Sequence, residues 1–140
     1  MARYVVDANV VVKWAVHEDL WQQADTLRHG SNELLAPNLL LVEALNALTQ
    51  KLRRGEVVED IVRSAYVMLL DELVLYPTPP LISAALKVSI DLGINMYDAT
   101  YVALAIEQGC QLVTEDGGLT NSTTRLLREV VLPLGDIPLA

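Results

Sequence analysis

Short apolar runs alternate with longer segments of helical periodicity along this chain of 140 residues. The two strongest runs, Arg3 to Val6 and Gln111 to Thr114, do not alternate polar with apolar positions, and each is followed by an acidic residue. Runs of this kind are typical of strands buried on both faces, in a parallel sheet that helices cover. Weaker strands are predicted at Glu33 to Ala36, Val74 to Tyr76 and Val130 to Leu134.

Capping residues and 3.6-residue periodicity predict helices between these strands. Asn38 and Asn95 are predicted N-caps, and Gly55 and Gly109 are predicted stop signals. The predicted helices run over Leu39 to Leu52, Val57 to Leu73, Thr78 to Leu92 and Met96 to Gln108. The alternation of the two element types predicts an α/β fold with a short, mostly parallel sheet of four or five strands.

Composition and charge narrow the class of protein. With 140 residues, 52% of them hydrophobic, the chain is expected to form a single domain over residues 1–140. Its 18 acidic and 10 basic residues give a net charge of -8, which excludes a polybasic nucleic-acid arm and a membrane-surface patch. The single cysteine, Cys110, excludes an internal disulfide and indicates a reducing compartment. Neither a signal peptide nor a membrane span is recognisable, so we expect a cytoplasmic protein.

Four acidic residues stand out by their positions. Asp7 and Asp116 follow the two strongest strands, so both are expected at the edge where open parallel sheets bind ligands. Asp98 stands near the start of an otherwise apolar helix, and Glu43 interrupts an apolar helix with no basic residue within one turn. A buried carboxylate without a partner either shows a raised pKa or binds a cation.

Each of these acids also has an ordinary structural explanation. Asp7 and Asp116 could cap helices that begin just after them, Asp98 could act with Asn95 in a capping box, and Glu43 could reach solvent. Four such acids without a nearby Lys or Arg nevertheless favour a shared cation site. Carboxylate ligands, a lone cysteine and scattered histidines favour Mg²⁺ or Mn²⁺ over zinc.

The segments around these acids resemble the four acidic motifs of PIN-domain nucleases, most closely the VapC-type toxins of toxin–antitoxin pairs. The resemblance follows the order and spacing of the motifs along nearly the whole chain, and it implies a three-layer α/β/α PIN-like domain. The segments are Val5-Val6-Asp7-Ala8-Asn9, Leu41-Val42-Glu43-Ala44-Leu45, Tyr97-Asp98-Ala99-Thr100-Tyr101 and Leu112-Val113-Thr114-Glu115-Asp116. The resemblance also implies that Asp7, Glu43, Asp98 and Asp116 bind metal and act in catalysis, with Asn9 and Thr114 supporting the pocket.

The resemblance to PIN-domain nucleases also implies an activity and binding partners. The expected activity is that of an endoribonuclease that uses Mg²⁺, with Mn²⁺ as a substitute, to hydrolyse RNA phosphodiester bonds. The expected partners are an RNA substrate, a cognate antitoxin and a second copy of the chain. The alternative is a PIN-like module that binds or processes RNA without a toxin role, or one that is catalytically silent. An aspartyl-nucleophile phosphotransferase is disfavoured, because it needs an acid two residues after Asp7, where this chain has Asn9.

Basic residues and histidines give weaker signals. His17 and His29 lack the spacing of a triad or a metal pair, which disfavours a metal-free ribonuclease built on two histidines. Lys51, Arg53 and Arg54 could contact RNA phosphates, although cations in the last turn of a helix are also expected from the helix dipole alone.

Overall fold

A parallel five-stranded sheet flanked by helices forms the protein, which we describe from a computed structural model that covers residues 2–139. The strands are β1 (Ala2–Val6), β2 (Asn32–Pro37), β3 (Val74–Tyr76), β4 (Gln111–Thr114) and β5 (Val131–Pro133). The helices are α1 (Ala8–Ala15), α2 (Trp21–His29), α3 (Leu39–Arg53), α4 (Glu59–Glu72), α5 (Ile82–Leu92), α6 (Met96–Gln108), α7 (Gly117–Thr120) and α8 (Arg125–Val130). The strand order is β3-β2-β1-β4-β5, so β1 and β4 lie side by side in the middle of the sheet.

The register of the sheet aligns the apolar centres of all five strands. One row across the sheet consists of Val74, Leu35, Val5, Leu112 and Val131. The three central members of this row have no solvent exposure. Burial on both faces explains why these strands are continuous apolar runs rather than alternating ones.

Helix α6 lies across three strands and supplies much of the core. It contacts β1, β2 and β4, and its segment from Ala99 to Ala105 is buried without interruption. Helix α5 packs along α6, whereas α1, α3 and α4 contact one another. This arrangement confirms the three-layer α/β/α architecture expected from the sequence. In the part of the chain that the structure describes, no helix combines the length and the apolar character needed to cross a membrane.

The predicted elements occur close to their predicted bounds, with two local differences. The helix predicted from Thr78 begins as a 3-10 turn at Pro79–Leu81 and continues as α5. Asn38 occupies the N-cap position of α3, but its side chain makes no capping hydrogen bond, so that part of the prediction is wrong. Instead, its Oδ1 accepts hydrogen bonds from Thr78 N at 3.2 Å and Thr78 Oγ1 at 2.7 Å. The partner that displaces the local cap comes from a distant turn, which the sequence around Asn38 does not reveal.

Candidate active site

Four acidic side chains converge on one cavity of about 350 Å³ at the carboxyl edge of the central strands. Asp7 follows β1, and Asp116 lies two residues after β4. Because β1 and β4 are adjacent and parallel, their ends meet at the same edge of the sheet. Glu43 reaches the cavity from the second turn of α3, and Asp98 from the first turn of α6. The structure therefore brings together all four of the predicted acids.

The Thr114 hydroxyl joins the two strand ends. Thr114 is fully buried, and its Oγ1 donates a hydrogen bond to Asp7 Oδ2 at 2.7 Å. The same oxygen accepts hydrogen bonds from Asp116 N at 3.1 Å and from Asn9 Nδ2 at 3.3 Å. Asp7 Oδ1 accepts from the backbone N–H of Ala8 at 2.7 Å. Asn9 lines the acidic cavity, whereas Thr114 lies behind it and contacts Asp7, Asn9 and the backbone of Asp116.

Asp7 and Asp116 both cap a helix and line the acidic cavity. Asp7 is the N-cap of α1, and Asp116 caps α7 by accepting a hydrogen bond from Gly118 N at 2.9 Å. Asn95 caps α6, accepting from Asp98 N at 2.9 Å and donating from Nδ2 to Asp98 Oδ2 at 3.0 Å. The capping explanations for Asp7 and Asp116 are therefore confirmed, whereas Asp98 accepts from the Asn95 side chain instead of from the Asn95 backbone N–H that a capping box requires. The caps also fix the directions in which these carboxylates point.

Glu43 is held by a residue that the sequence did not single out. The hydroxyl of Tyr101, a completely buried residue of α6, donates a hydrogen bond to Glu43 Oε1 at 2.8 Å. Glu43 is half-buried, so it is not a freely solvated surface acid. The only sequence signal for Tyr101 is a polar hydroxyl within the apolar run of α6.

Burial makes ionisation of the first two acids unfavourable. It raises the pKa of Asp7, although the hydrogen bonds from Thr114 and Ala8 offset part of this effect. It also raises the pKa of Glu43, where the Tyr101 hydroxyl opposes the shift and the negative charge of Asp7 adds to it.

Asp98 and Asp116 form the most strongly interacting pair of carboxyls. Burial, together with the negative charges of Asp116 and Asp7, raises the pKa of Asp98 to about 7. The Asp98 and Asp116 carboxyls are close enough to share a hydrogen bond when one of them is protonated. Near neutral pH Asp98 therefore retains part of the protonation that an isolated aspartate would already have lost.

Among residues 2–139, no basic side chain forms an ion pair with any of the four acids. None of the ion pairs formed within residues 2–139 involves Asp7, Glu43, Asp98 or Asp116. Over the same residues, no three His, Cys, Asp or Glu side chains are close enough to hold a metal ion as they stand. Several of the carboxylate oxygens are occupied by backbone or hydroxyl donors. Within residues 2–139 the cavity is thus an acidic site whose carboxylates form no ion pair with a basic side chain.

The acid next to Asp116 serves a different purpose. Glu115 Oε2 lies 2.6 Å from Lys13 Nζ, and Glu115 lines a neighbouring cavity instead of the acidic one. The Lys13 side chain is only 5% exposed. Asn9 Oδ1 accepts a hydrogen bond from Glu115 N at 3.2 Å, so α1 holds the loop that carries Asp116 through two contacts. No pattern in the sequence indicates this pairing.

The raised pKa of Asp98 predicts how the stability of the metal-free protein depends on pH. The unfolded chain loses this proton near pH 4, whereas the folded chain keeps it up to about pH 7. The stability contributed by this carboxyl is therefore fully present below about pH 4 and is lost as the pH rises to about 7. Asp98→Asn removes this loss, so in EDTA the variant should melt above the parent near pH 7 and converge with it at low pH. Asp91→Asn, an exposed control, should keep the pH dependence of the parent, and parallel curves for Asp98→Asn and the parent would contradict the assignment.

A second prediction concerns Glu43. Glu43→Gln removes a charge that burial disfavours and keeps an oxygen that can accept the Tyr101 hydroxyl hydrogen bond. In EDTA at pH 7 the variant should melt about 1 to 3 °C above the parent. Glu107→Gln, the same change at an exposed position of α6, should have no effect. Equal melting temperatures for all three proteins would show that Glu43 is effectively solvated.

Comparison with known proteins identifies the family of this chain. The PIN domain profile matches residues 4–121. The chain is 32% identical over 120 residues to Exonuclease VapC9 of Pyrobaculum aerophilum, covering 86% of this chain and 85% of that protein. It is 29% identical over 128 residues to Ribonuclease VapC3 of the same organism, covering 89% of this chain and 98% of that protein.

A solved structure supports the same fold. It is VapBC2 from Rickettsia felis bound to a DNA fragment from its promoter, which superposes with a TM-score of 0.67 at 15% identity. The superposition covers 94% of this chain and 98% of the matched one. From the profile match, the relatives and the shared fold we conclude that this chain belongs to the PIN domain family and is similar to its VapC members.

Proposed function

We propose that this chain is a divalent-metal-dependent ribonuclease that hydrolyses RNA phosphodiester bonds and acts as the toxin of a toxin–antitoxin pair. The observation that carries the proposal is the convergence of Asp7, Glu43, Asp98 and Asp116 on one cavity without a basic partner within residues 2–139. The names of the two Pyrobaculum aerophilum relatives, a ribonuclease and an exonuclease, support the choice of a nucleic-acid phosphodiester as substrate.

The donor types of the cavity suit a hard divalent cation, although within residues 2–139 no three of the acidic side chains are yet close enough to hold one, so binding would draw them together. All four side chains offer carboxylate oxygens, which Mg²⁺ and Mn²⁺ prefer, and the lining residues found in the described part of the chain include no thiol or imidazole. Burial raises the pKa values of Asp7, Glu43 and Asp98, so a bound cation would offset the cost of keeping these carboxylates ionised. We assign Asp7, Asp98 and Asp116 as the residues that hold the ion, with Glu43 completing the set.

The protein side chains have separate tasks in this proposal. When bound, the ion supplies a water of lowered pKa and neutralises charge on the attacked phosphate. Thr114 and the Ala8 N–H orient the Asp7 carboxylate, and Asn95 orients that of Asp98. Tyr101 occupies only Oε1 of Glu43, so Oε2 is left to orient the attacking water or to accept its proton. Attack in line with the leaving oxygen gives a 5′-phosphate and a 3′-hydroxyl.

Uncovered apolar surface supports the proposed protein partners. Within α4, Val62, Ala65 and Leu69 are buried, but Ile61 in the same helix and Val58 just before it are exposed. A second uncovered apolar surface on α5 and α6 is formed by Ile82, Leu86, Ile90 and Ile106. We propose that a cognate antitoxin and a second copy of the chain cover such surfaces. The fold that this chain shares with VapBC2 from Rickettsia felis supports the antitoxin, and the uncovered apolar surface supports a protein partner.

Asp98→Asn tests the proposed metal site. The variant should fold, because Asn keeps an oxygen that accepts the Asn95 hydrogen bond. It should bind Mn²⁺ at least tenfold more weakly in calorimetry, and its cleavage of RNA in Mg²⁺ should fall by about two orders of magnitude or more. Asp91→Asn on α5 makes the same charge change outside the cavity and should match the parent in both assays.

The substrate in this assay can also define the reaction. A circular RNA is opened by an endonuclease and resists an exonuclease, and sequencing of the new ends reports the 5′-phosphate and the 3′-hydroxyl. An Asp98→Asn variant that binds Mn²⁺ and cuts RNA as the parent does would rule out the metal assignment. A parent chain that binds Mn²⁺ but cuts no RNA would favour the catalytically silent alternative.

The oligomeric state tests the proposed homodimer. Light scattering of the purified chain at micromolar concentration should give the mass of a dimer, because the exposed isoleucines and leucines favour burial. Ile90→Lys and Val67→Lys place a charge on the α5–α6 surface and on α4, respectively, and the one that dissociates the dimer identifies the interface. A parent chain that stays monomeric at high micromolar concentration would exclude the homodimer.

A further inference from the structure

A second cavity, of about 360 Å³, opens directly beside the acidic one. The two cavities share Asn9, Val12 and Ala47 in their walls. The remaining wall of the second cavity contains Lys13, Lys51 and Arg54, together with Glu18 and Glu115. A cationic cavity therefore adjoins the acidic cavity of this protein.

The two lysines of the cationic cavity are held close together. Their side chains are only 5% and 17% exposed for Lys13 and Lys51, respectively. Glu18 bridges them, with Oε1 3.7 Å from Lys13 Nζ and Oε2 3.4 Å from Lys51 Nζ. The chain has only three lysines, so placing two of them here is a marked concentration in a protein of net charge -8.

The helix dipole does not account for this arrangement. Lys51 lies in the last turn of α3, where a cation is expected in any case. However, its ammonium group is directed to Glu18, a residue of the connection between α1 and α2 that lies 33 positions earlier in the chain. Lys13 lies in α1 and shares the same carboxylate. Tertiary packing thus gathers cations from two helices at one point.

The charge of the cavity matches a single phosphodiester. Three cations against Glu18 and Glu115 leave one positive charge in the wall, and one phosphodiester carries one negative charge. Glu56 also contacts Lys51 and Arg54, at 3.9 and 3.6 Å, but exposed pairs at such distances are weak. The acidic cavity repels RNA unless positive charge is supplied nearby, and this wall supplies it.

We propose that the cationic cavity is a phosphate subsite that binds the phosphodiester next to the one attacked at the acidic cavity. The proposal rests on the proposed ribonuclease function. Lys51 and Arg54 contact the phosphate oxygens, and the buried Lys13 adds positive potential to the cavity. Glu18 forms ion pairs with both lysines when RNA is absent. Because the two cavities share a wall, successive phosphates of one strand can occupy them together.

Equilibrium binding with matched variants tests this subsite. A labelled single-stranded oligoribonucleotide is titrated with protein in EDTA, which stops cleavage, over a series of KCl concentrations. Lys51→Gln should weaken binding about five- to tenfold and should reduce the slope of log K against log salt by about 0.7, the value for one phosphate contact on a single strand. Lys87→Gln, the same change at a 78% exposed lysine of α5, should bind as the parent does. Equal affinities and slopes for the two variants, or a parent that binds no RNA at low salt, would overturn the subsite.

Glu18→Gln should have the opposite effect. Removing the bridging carboxylate frees the lysines for phosphate, so affinity should rise by about threefold. Lys13 keeps Glu115 as a partner in this variant, so the fold is preserved. Asp91→Asn removes the 2.8 Å partner of Lys87 and controls for the general change in charge. A Glu18→Gln affinity no higher than that of Asp91→Asn would contradict the competition between carboxylate and phosphate.

Two further measurements separate the possible failures. An oligonucleotide with neutral methylphosphonate linkages should bind the parent and Lys51→Gln equally, and a persisting difference would assign Lys51 to a sugar or base instead of a phosphate. If the parent cuts RNA while Lys51→Gln binds as Lys87→Gln does, the subsite is wrong and the ribonuclease proposal stands. If binding depends on Lys51 but no RNA is cut, the ribonuclease proposal is wrong and the subsite stands.

Discussion

The hydrogen bond from Thr114 to Asp7 is the contact on which the candidate site depends. It is buried, it joins the ends of the two central strands, and it is charge-assisted when Asp7 is ionised. The same hydroxyl accepts from Asp116 N, so one oxygen atom orients two of the four acids. A parallel pairing in register is required for this contact, because a shift of one residue would move Thr114 to the other face of the sheet.

Burial of the acids lowers the stability of the fold when no cation is bound. Three of its four acids have raised pKa values, and burial is the largest cause in each case. Acids selected only for folding would instead be paired with cations, as Glu115 is with Lys13 in the neighbouring cavity. The protein thus separates its charges into an acidic cavity and an adjoining cationic one, with Asn9, Val12 and Ala47 between them. Charges separated in this way favour the binding of a cation in one cavity and of an anionic group in the other.

The strand positions and the convergence of the acids could be predicted from the sequence for different reasons. The strands at 2–6 and 111–114 were recognisable because burial on both faces leaves a continuous apolar run. The convergence of Asp7 and Asp116 followed from a general property of parallel sheets, whose strands end at one edge. The Asn38 cap failed because Thr78, a residue from another turn, competes for the same side-chain oxygen. Whether the four acids act in metal binding and catalysis stays a prediction.

The sequence by itself determined the fold class, the strand positions and which four acids were candidates for the site. These depend on local periodicity and on the order of elements along the chain. Only the tertiary structure decided the side-chain partners. Tyr101 lies 58 positions from Glu43 and forms a hydrogen bond with it, and Lys13 lies far along the chain from Glu115 and forms an ion pair with it. Contacts of this range are set by how α1, α3 and α6 pack on the sheet, and side-chain partners chosen by packing leave no periodic trace in the sequence.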